Sequence, residues 1–174
     1  MKQYFKNHPL ITYNGQTIRN LMLNAQLTKE VLGDTTTFLP YTVQEGETPT
    51  SIAFDYYGSI EYTWLVLFSN SFIDPYTSWV KSQEQFEATL IYTYGSLEAT
   101  FATIHHYKNT LDPDLPPATP TTYQYMTVEE RAGYVPVTLY DHLFEENELK
   151  RKIKLVDKVY APRIALELEK KLKS

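Results

Sequence analysis

Four of the ten prolines fall within residues 111–120, at Pro113, Pro116, Pro117 and Pro120. Proline fixes φ, lacks a backbone N–H and pushes the residue before it toward extended backbone. No helix and no central strand can run through such a stretch. The chain must therefore organise itself on either side of it, and residues 111–120 read as a linker or an extended arm.

On the N-terminal side, local signals are dense. Asn14-Gly15 stands between Leu10-Ile11-Thr12-Tyr13 and Gln16-Thr17-Ile18, the pattern of a two-residue hairpin. Residues 19–32 then carry a rough helical face, with Leu21, Met22, Ala25 and Leu32, before Gly33. Phe38 to Val43 reads as a short strand, at an edge because of Pro40. Thr48-Pro49 reads as helix N-cap and first turn, with Gly58 as the stop. Ser59 starts a second helix bearing Trp64, Leu65, Leu67 and Phe68, with Asn70 as a left-handed cap. Ser82 to Gln85 is a capping box leading a Phe86, Leu90, Tyr94 stripe, closed by Gly95. A short helix from Ser96 leads to an extended Ile104-His105-His106-Tyr107.

Beyond the prolines, residues 139–151 predict a charged helix, Ile153 to Val156 a strand, and Pro162 to Lys173 an amphipathic helix. The stripe of that last helix includes Ile164, Leu168 and Leu172. An isolated helix of this length is marginal in water, so it either folds back or docks on a partner. The strand, with no hairpin neighbour, is a candidate to join a sheet edge on another chain. A chain ended after Thr110 is accordingly expected to leave a cooperatively melting module.

Composition narrows the chemistry. The absence of cysteine excludes disulfides and thiolate metal sites. The net charge of -5 argues against a nucleic-acid partner. No run approaches the roughly 18 apolar residues of a membrane span, and the first residues have no signal-peptide core, so a soluble protein made in a cytoplasm is expected. The 15 tyrosines suit contact surfaces and cores equally well. His105 and His106, adjacent on a strand, should face opposite ways and so should not share a metal. His8 and His142 are isolated in the sequence. Glu45 and Glu47 flank Gly46, with Asp55 and Glu61 nearby, but nothing distinguishes them from surface acids. No nucleophile elbow and no phosphate loop is present. The expectation is no active site, no metal and no cofactor.

Two resemblances carry the functional reading. Tyr41-Thr42-Val43, Gly46-Glu47-Thr48, Ser51-Ile52-Ala53, Tyr57-Gly58, Trp64-Leu65 and Asn70 resemble a LysM module, which has a strand, two helices and a closing strand. The usual closing segment is replaced by Ile73 to Trp79, which argues against glycan binding. Tyr56-Tyr57-Gly58, Tyr62 to Leu67, Ile73-Asp74-Pro75-Tyr76 with Trp79, Tyr94-Gly95-Ser96, Ile104 to Tyr107 and the charged block from Glu145 to Val156 resemble the baseplate wedge protein 53 family of contractile-tailed phages. Val80 departs from that pattern, where proline is expected.

The resemblance implies an α+β structural subunit. It would have an N-terminal hairpin and helix (1–37), a LysM-like module with added helices (38–110), a Pro-rich arm (111–138) and a helix-strand-helix assembly arm (139–174). Trp64, Asp74, Pro75, Tyr76, Trp79, Ile153, Leu155, Ile164, Leu168 and Leu172 are the expected structural and interface residues. The implied partners are other baseplate wedge proteins and neighbouring wedges, with about six copies per virion in a cyclic assembly, and neither nucleic acid nor membrane. The implied place is the tail baseplate, assembled in the bacterial cytoplasm. The alternatives are a peptidoglycan- or chitin-binding LysM protein and a small peptidoglycan hydrolase.

Overall fold

A computed structural model of the protein describes residues 8–20, 37–72 and 74–173. Of the helix expected over residues 19–32, Arg19 instead belongs to a strand, and residues 21–32 lie outside the described residues. Strands pair two by two and antiparallel: β1 (Leu10–Tyr13) with β2 (Gln16–Arg19), β3 (Phe38–Thr42) with β6 (Lys152–Val156), and β4 (Ile104–Asn109) with β5 (Tyr134–Thr138). Helices are α1 (Pro49–Tyr57), α2 (Thr63–Ser69), α3 (Pro75–Ser78), α4 (Gln83–Tyr94), α5 (Leu97–Ala102), α6 (Pro120–Tyr125), α7 (Leu139–Leu149) and α8 (Ala161–Lys173). The class is α+β. The chain divides into two compact units, one of residues 1–79 with 151–174 and one of residues 80–150.

In the first unit the local signals act as their chemistry dictates. Asn14 and Gly15 both take positive φ, 49° and 74°, which turns β1 into β2. Thr48 caps α1 by accepting from the Ser51 N–H at 3.1 Å, and the Ser51 hydroxyl accepts from the Thr48 N–H at 2.9 Å. Gly58 ends the helix at φ 78°. Asn70 caps α2 at φ -106°, and it is Ser71 that takes the left-handed conformation, at φ 56°. The asparagine is needed elsewhere: its Oδ1 accepts from the Lys154 N–H at 2.7 Å and its Nδ2 donates to the Lys154 carbonyl at 2.8 Å. Its amide therefore does for β6 what a further strand would do.

That contact explains Pro40. Lys154 sits opposite Pro40 in the β3–β6 register. Both backbone groups of Lys154 turn away from β3 toward Asn70, so the pair is a non-hydrogen-bonded one and the missing proline N–H leaves no carbonyl unsatisfied. The ladder continues beyond both strand ends, with Asp157 N donating to Thr37 O at 2.8 Å and Val43 N to Arg151 O at 2.9 Å. Ile153, Leu155 and Val156 are buried. Leu65, Val156, Ala161 and Ile164 form a core cluster with Phe38, Tyr57, Tyr62 and Trp64 packed around it. The Tyr57 hydroxyl donates to the Val156 carbonyl at 2.8 Å, so burial and this bond join α1 to β6.

The second unit has its own core. Ser82 and Gln85 make the capping box of α4. Phe86, buried on α4, meets the rings of Tyr140 and Phe144 on α7 edge-on at 5.6 and 5.8 Å, and Phe101 stacks on Tyr140 at 4.2 Å. Asn147 grips the backbone of Lys81 at both ends, accepting from its N–H and donating to its carbonyl, each at 2.9 Å.

Two expectations need correction. The proline segment does not uncouple the residues beyond it from those before it. It is a loop inside the β4–β5 connection: Tyr107 and Ala118 exchange two backbone hydrogen bonds of 2.8 Å, and Asn109 Oδ1 accepts from Leu111 and Asp112 N–H at 2.9 Å. Tyr123 stacks on Tyr107 at 3.7 Å, with the Arg131 guanidinium 5.0 Å from the Tyr123 ring. Prolines interrupt regular structure before Pro120, which opens α6, but leave carbonyls and rings free to pack. Nor do residues 139–174 form one arm. The helix α7 belongs to the second unit, while β6 and α8 complete the first, because β6 finds its partner strand in β3.

Ending the chain after Lys150 should therefore destroy the first unit. Both tryptophans lie in it, so the truncated chain should show no tryptophan near-ultraviolet dichroism and no cooperative tryptophan transition. A retained transition would show that β6 and α8 are dispensable. In the full chain Leu155→Ala should cost roughly 2–5 kcal/mol, as for buried leucines in general, read by denaturant unfolding.

Candidate functional site

The residues singled out by sequence separate into surface and interior. Trp64, near the start of α2, is half-buried; it packs against the Leu65, Val156, Ala161, Ile164 cluster and meets Phe68 edge-on at 6.1 Å. Asp74 caps α3: one carboxylate oxygen accepts from the Tyr76 N–H at 3.0 Å and the other from the Thr77 hydroxyl at 2.9 Å. Pro75 opens that helix, where a missing N–H costs nothing. This short capped helix presents Tyr76 with 90% of its surface exposed. Trp79 is anchored, its indole N–H donating to the Glu47 carbonyl at 2.9 Å and its ring edge-on to Phe72 at 6.0 Å. The segment from Asp74 to Trp79 thus builds a capped and anchored mount that holds one tyrosine out in solvent.

The C-terminal candidates have the opposite fate. Ile153, Leu155, Ile164 and Leu168 are all buried in the chain's own first unit, so they hold the fold together rather than face a partner. Leu172 lies on α8, but its side chain is outside the described residues. Helix α8 folds back, and its Ala161 and Ile164 join Leu65 of α2 and Val156 of β6 in one cluster.

Other apolar side chains remain outside in both units. Tyr92 on α4 is 92% exposed and Tyr125 at the end of α6 is 85% exposed. Periodicity could not mark them, because tyrosine fits core and surface alike. Tyr92 lies beside the partly exposed Ile91 and Tyr94 on a helix whose other side carries Phe86 and Leu90 into the core.

The acidic residues near Gly46 are engaged in structural contacts. Glu47 accepts from the Tyr41 hydroxyl at 2.9 Å and from the Gln44 N–H at 2.7 Å. Glu45 pairs with Arg151, whose guanidinium also donates to the Val43 carbonyl at 3.3 Å. Burial and the Glu47 carboxylate push the Tyr41 phenol up to about 12.

One sequence expectation about chemistry is overturned. His105 and His106 do not face apart: their Nδ1 atoms lie 2.9 Å from each other, and His142 of α7 stacks on His105 at 3.8 Å. The β4–β5 register shifts between Ile104 and His106, a bulge that breaks the strict alternation of strand side chains. Burial first, then His105 and His142, lower the His106 pKa, with Glu145 opposing them. The sequence carried no signal for the bulge or for His142, which is 36 residues beyond His106.

The Tyr41 shift predicts alkaline behaviour. Its folded pKa lies above the ordinary value, so the folded chain holds this proton more tightly. The stabilisation it provides should be complete below about pH 10 and lost as pH rises through about 12. Denaturant unfolding across that range should be less pH-sensitive in Tyr41→Phe than in the parent; equal sensitivity would rule this phenol out as a source.

Residues 2–112 match the family model described as base plate wedge protein 53. No curated protein matches the chain. The matched span takes in the strand and helices β3, α1 and α2, the Asp74-to-Trp79 mount of Tyr76, the α4–α5 pair and the whole of β4. With well over half of its length matched, the chain belongs to the base plate wedge protein 53 family.

Proposed function

We propose that this protein acts as a non-catalytic clamp in the wedge of a phage tail baseplate, joining wedge core proteins and helping neighbouring wedges close around the hub. The coarser part follows from the family: the protein is a structural component of the baseplate, placed in the virion tail and in contact with other baseplate proteins. The observation that carries the finer reading is the exposed tyrosines, Tyr76 on its capped mount and Tyr92 on α4. Tyrosine supplies a large, stiff contact face at low entropic cost, and such residues dominate binding energy at interfaces. Two such surfaces, one on each unit, suit a subunit that must touch different neighbours, as head-to-tail closure of a ring requires. On this reading about six copies enter each virion, one per wedge, during assembly in the bacterial cytoplasm.

Tyr76→Ala and Tyr92→Ala should leave the melting curve unchanged, because each ring is solvent-facing. The double variant should co-purify with the other tail proteins at least tenfold less than the parent, a loss of about 1.4 kcal/mol or more in binding. Normal incorporation would move the contact surfaces elsewhere.

The order strand, two helices, antiparallel strand in β3, α1, α2 and β6 also keeps a glycan-binding reading in view. The two strands are separated by the whole second unit, and the β3–α1 loop is occupied by the Tyr41, Glu45, Glu47, Trp79 and Arg151 contacts. We therefore expect calorimetric titration with chitin oligomers and muropeptides to give no saturable binding tighter than about 1 mM, or about -4 kcal/mol. Tighter binding would favour the glycan reading.

A further inference from the structure

We propose that His105, His106 and His142 form a binding site for a single divalent transition-metal ion of the zinc class, which clips β4 to α7. One nitrogen from each of the three lies within 4.8 Å of the others. Tetrahedral zinc with Zn–N bonds of about 2.0–2.1 Å needs ligand nitrogens about 3.3 Å apart, so small ring movements suffice. Imidazole suits zinc, nickel and copper, and three histidines with water in the fourth position are a known donor set for zinc.

The surrounding geometry supports a ligand more than a chance encounter. The bulge at His105 gives up regular strand pairing and turns two successive side chains to one place. The His106 ring stands nearly perpendicular to both other rings, at 84° and 88°, rather than stacking on them. Glu146 places a carboxylate oxygen 3.5 Å from His142 Nε2. Metal-bound histidines regularly use such a carboxylate on the nitrogen away from the ion, which fixes the tautomer. His142 Nδ1 is then the nitrogen left to ligate.

One movement is required. His105 and His142 lie parallel within 9°, and parallel rings cannot aim in-plane lone pairs at one point. His105 is the exposed member of the three, so its ring can turn without disturbing the core. The ion would join residues 36 positions apart and hold the β4–β5 hairpin on α7. This inference is independent of the assembly role proposed above.

The test uses the full chain without a histidine tag, freed of metal by chelator and dialysis. Titration with zinc chloride should show one ion per chain with a dissociation constant of micromolar or tighter. Cobalt(II) should give the visible absorption of a nitrogen-ligated, low-coordinate site. His105→Ala and His142→Ala should each weaken zinc binding at least tenfold. His105→Ala should keep the metal-free melting curve of the parent, so loss of binding there cannot be attributed to unfolding. Absence of saturable binding would overturn the proposal. So would one-to-one binding unaffected by His105→Ala and His142→Ala, or binding of several ions per chain at affinities the substitutions do not change.

Discussion

The antiparallel pairing of Phe38–Thr42 with Lys152–Val156 is the contact on which the first unit depends. An isolated two-stranded sheet is marginal in water and needs helices packed on it. Here Tyr57 on α1 bonds to the Val156 carbonyl, Asn70 at the end of α2 holds both backbone groups of Lys154, and α8 fills the remaining face with Ile164. Without β6 the Tyr57 hydroxyl and the Asn70 amide lose these backbone partners, and Ile164 loses Val156 from its cluster. Closing a flexible loop of more than a hundred residues costs about 4 kcal/mol in chain entropy, a sizeable share of a domain's net stability. The second unit reduces that cost by its own folding. Asn147 grips Lys81, so the segment between the two halves of the first unit begins and ends at nearly the same place. The two asparagines play matching parts, each offering a side-chain amide where a peptide group would otherwise pair.

That arrangement bears on the family's role. A unit completed by a strand from the far side of an inserted unit has its apolar stripe committed internally, which is why Ile153, Leu155, Ile164 and Leu168 are unavailable to partners. Among the side chains left outside is Tyr76. The short α3 is held by the Asp74 cap and the Trp79 indole bond, so Tyr76 projects from a fixed base rather than a loose loop. Pre-organised aromatic side chains lose little entropy on contact, an advantage for a structural subunit in contact with other baseplate proteins.

Chemistry-bearing residues in the two units divide in the same way. Glu45 and Glu47, adjacent in sequence to a turn glycine, are absorbed into the frame by Arg151, Tyr41 and the Gln44 N–H. The three histidines are brought together by a strand bulge for two and by the packing of α7 for the third. Acidic residues clustered in sequence thus serve structure, while a histidine pair meets a third histidine 36 residues away.

What the sequence determined by itself was local and familial. The Asn14-Gly15 turn, the Thr48 and Ser82 capping boxes and the Gly58 and Gly95 stops were legible because each involves residues within four positions of one another, where backbone sterics and a single hydrogen bond decide the outcome. The strings from Tyr56 to Trp79 and from Tyr94 to Tyr107 were enough for the family. The tertiary structure alone decided which strand β6 joins, that α8 turns inward, that the proline loop is bound into the β4–β5 unit, and that His142 meets His105 and His106. These are choices among partners 11 to more than a hundred residues apart, and an apolar stripe or an unpaired edge carries the same pattern whichever surface covers it. The bulge is the sharpest case, because one extra residue in a strand reverses the direction of every side chain after it and leaves no mark in the periodicity from which direction is read.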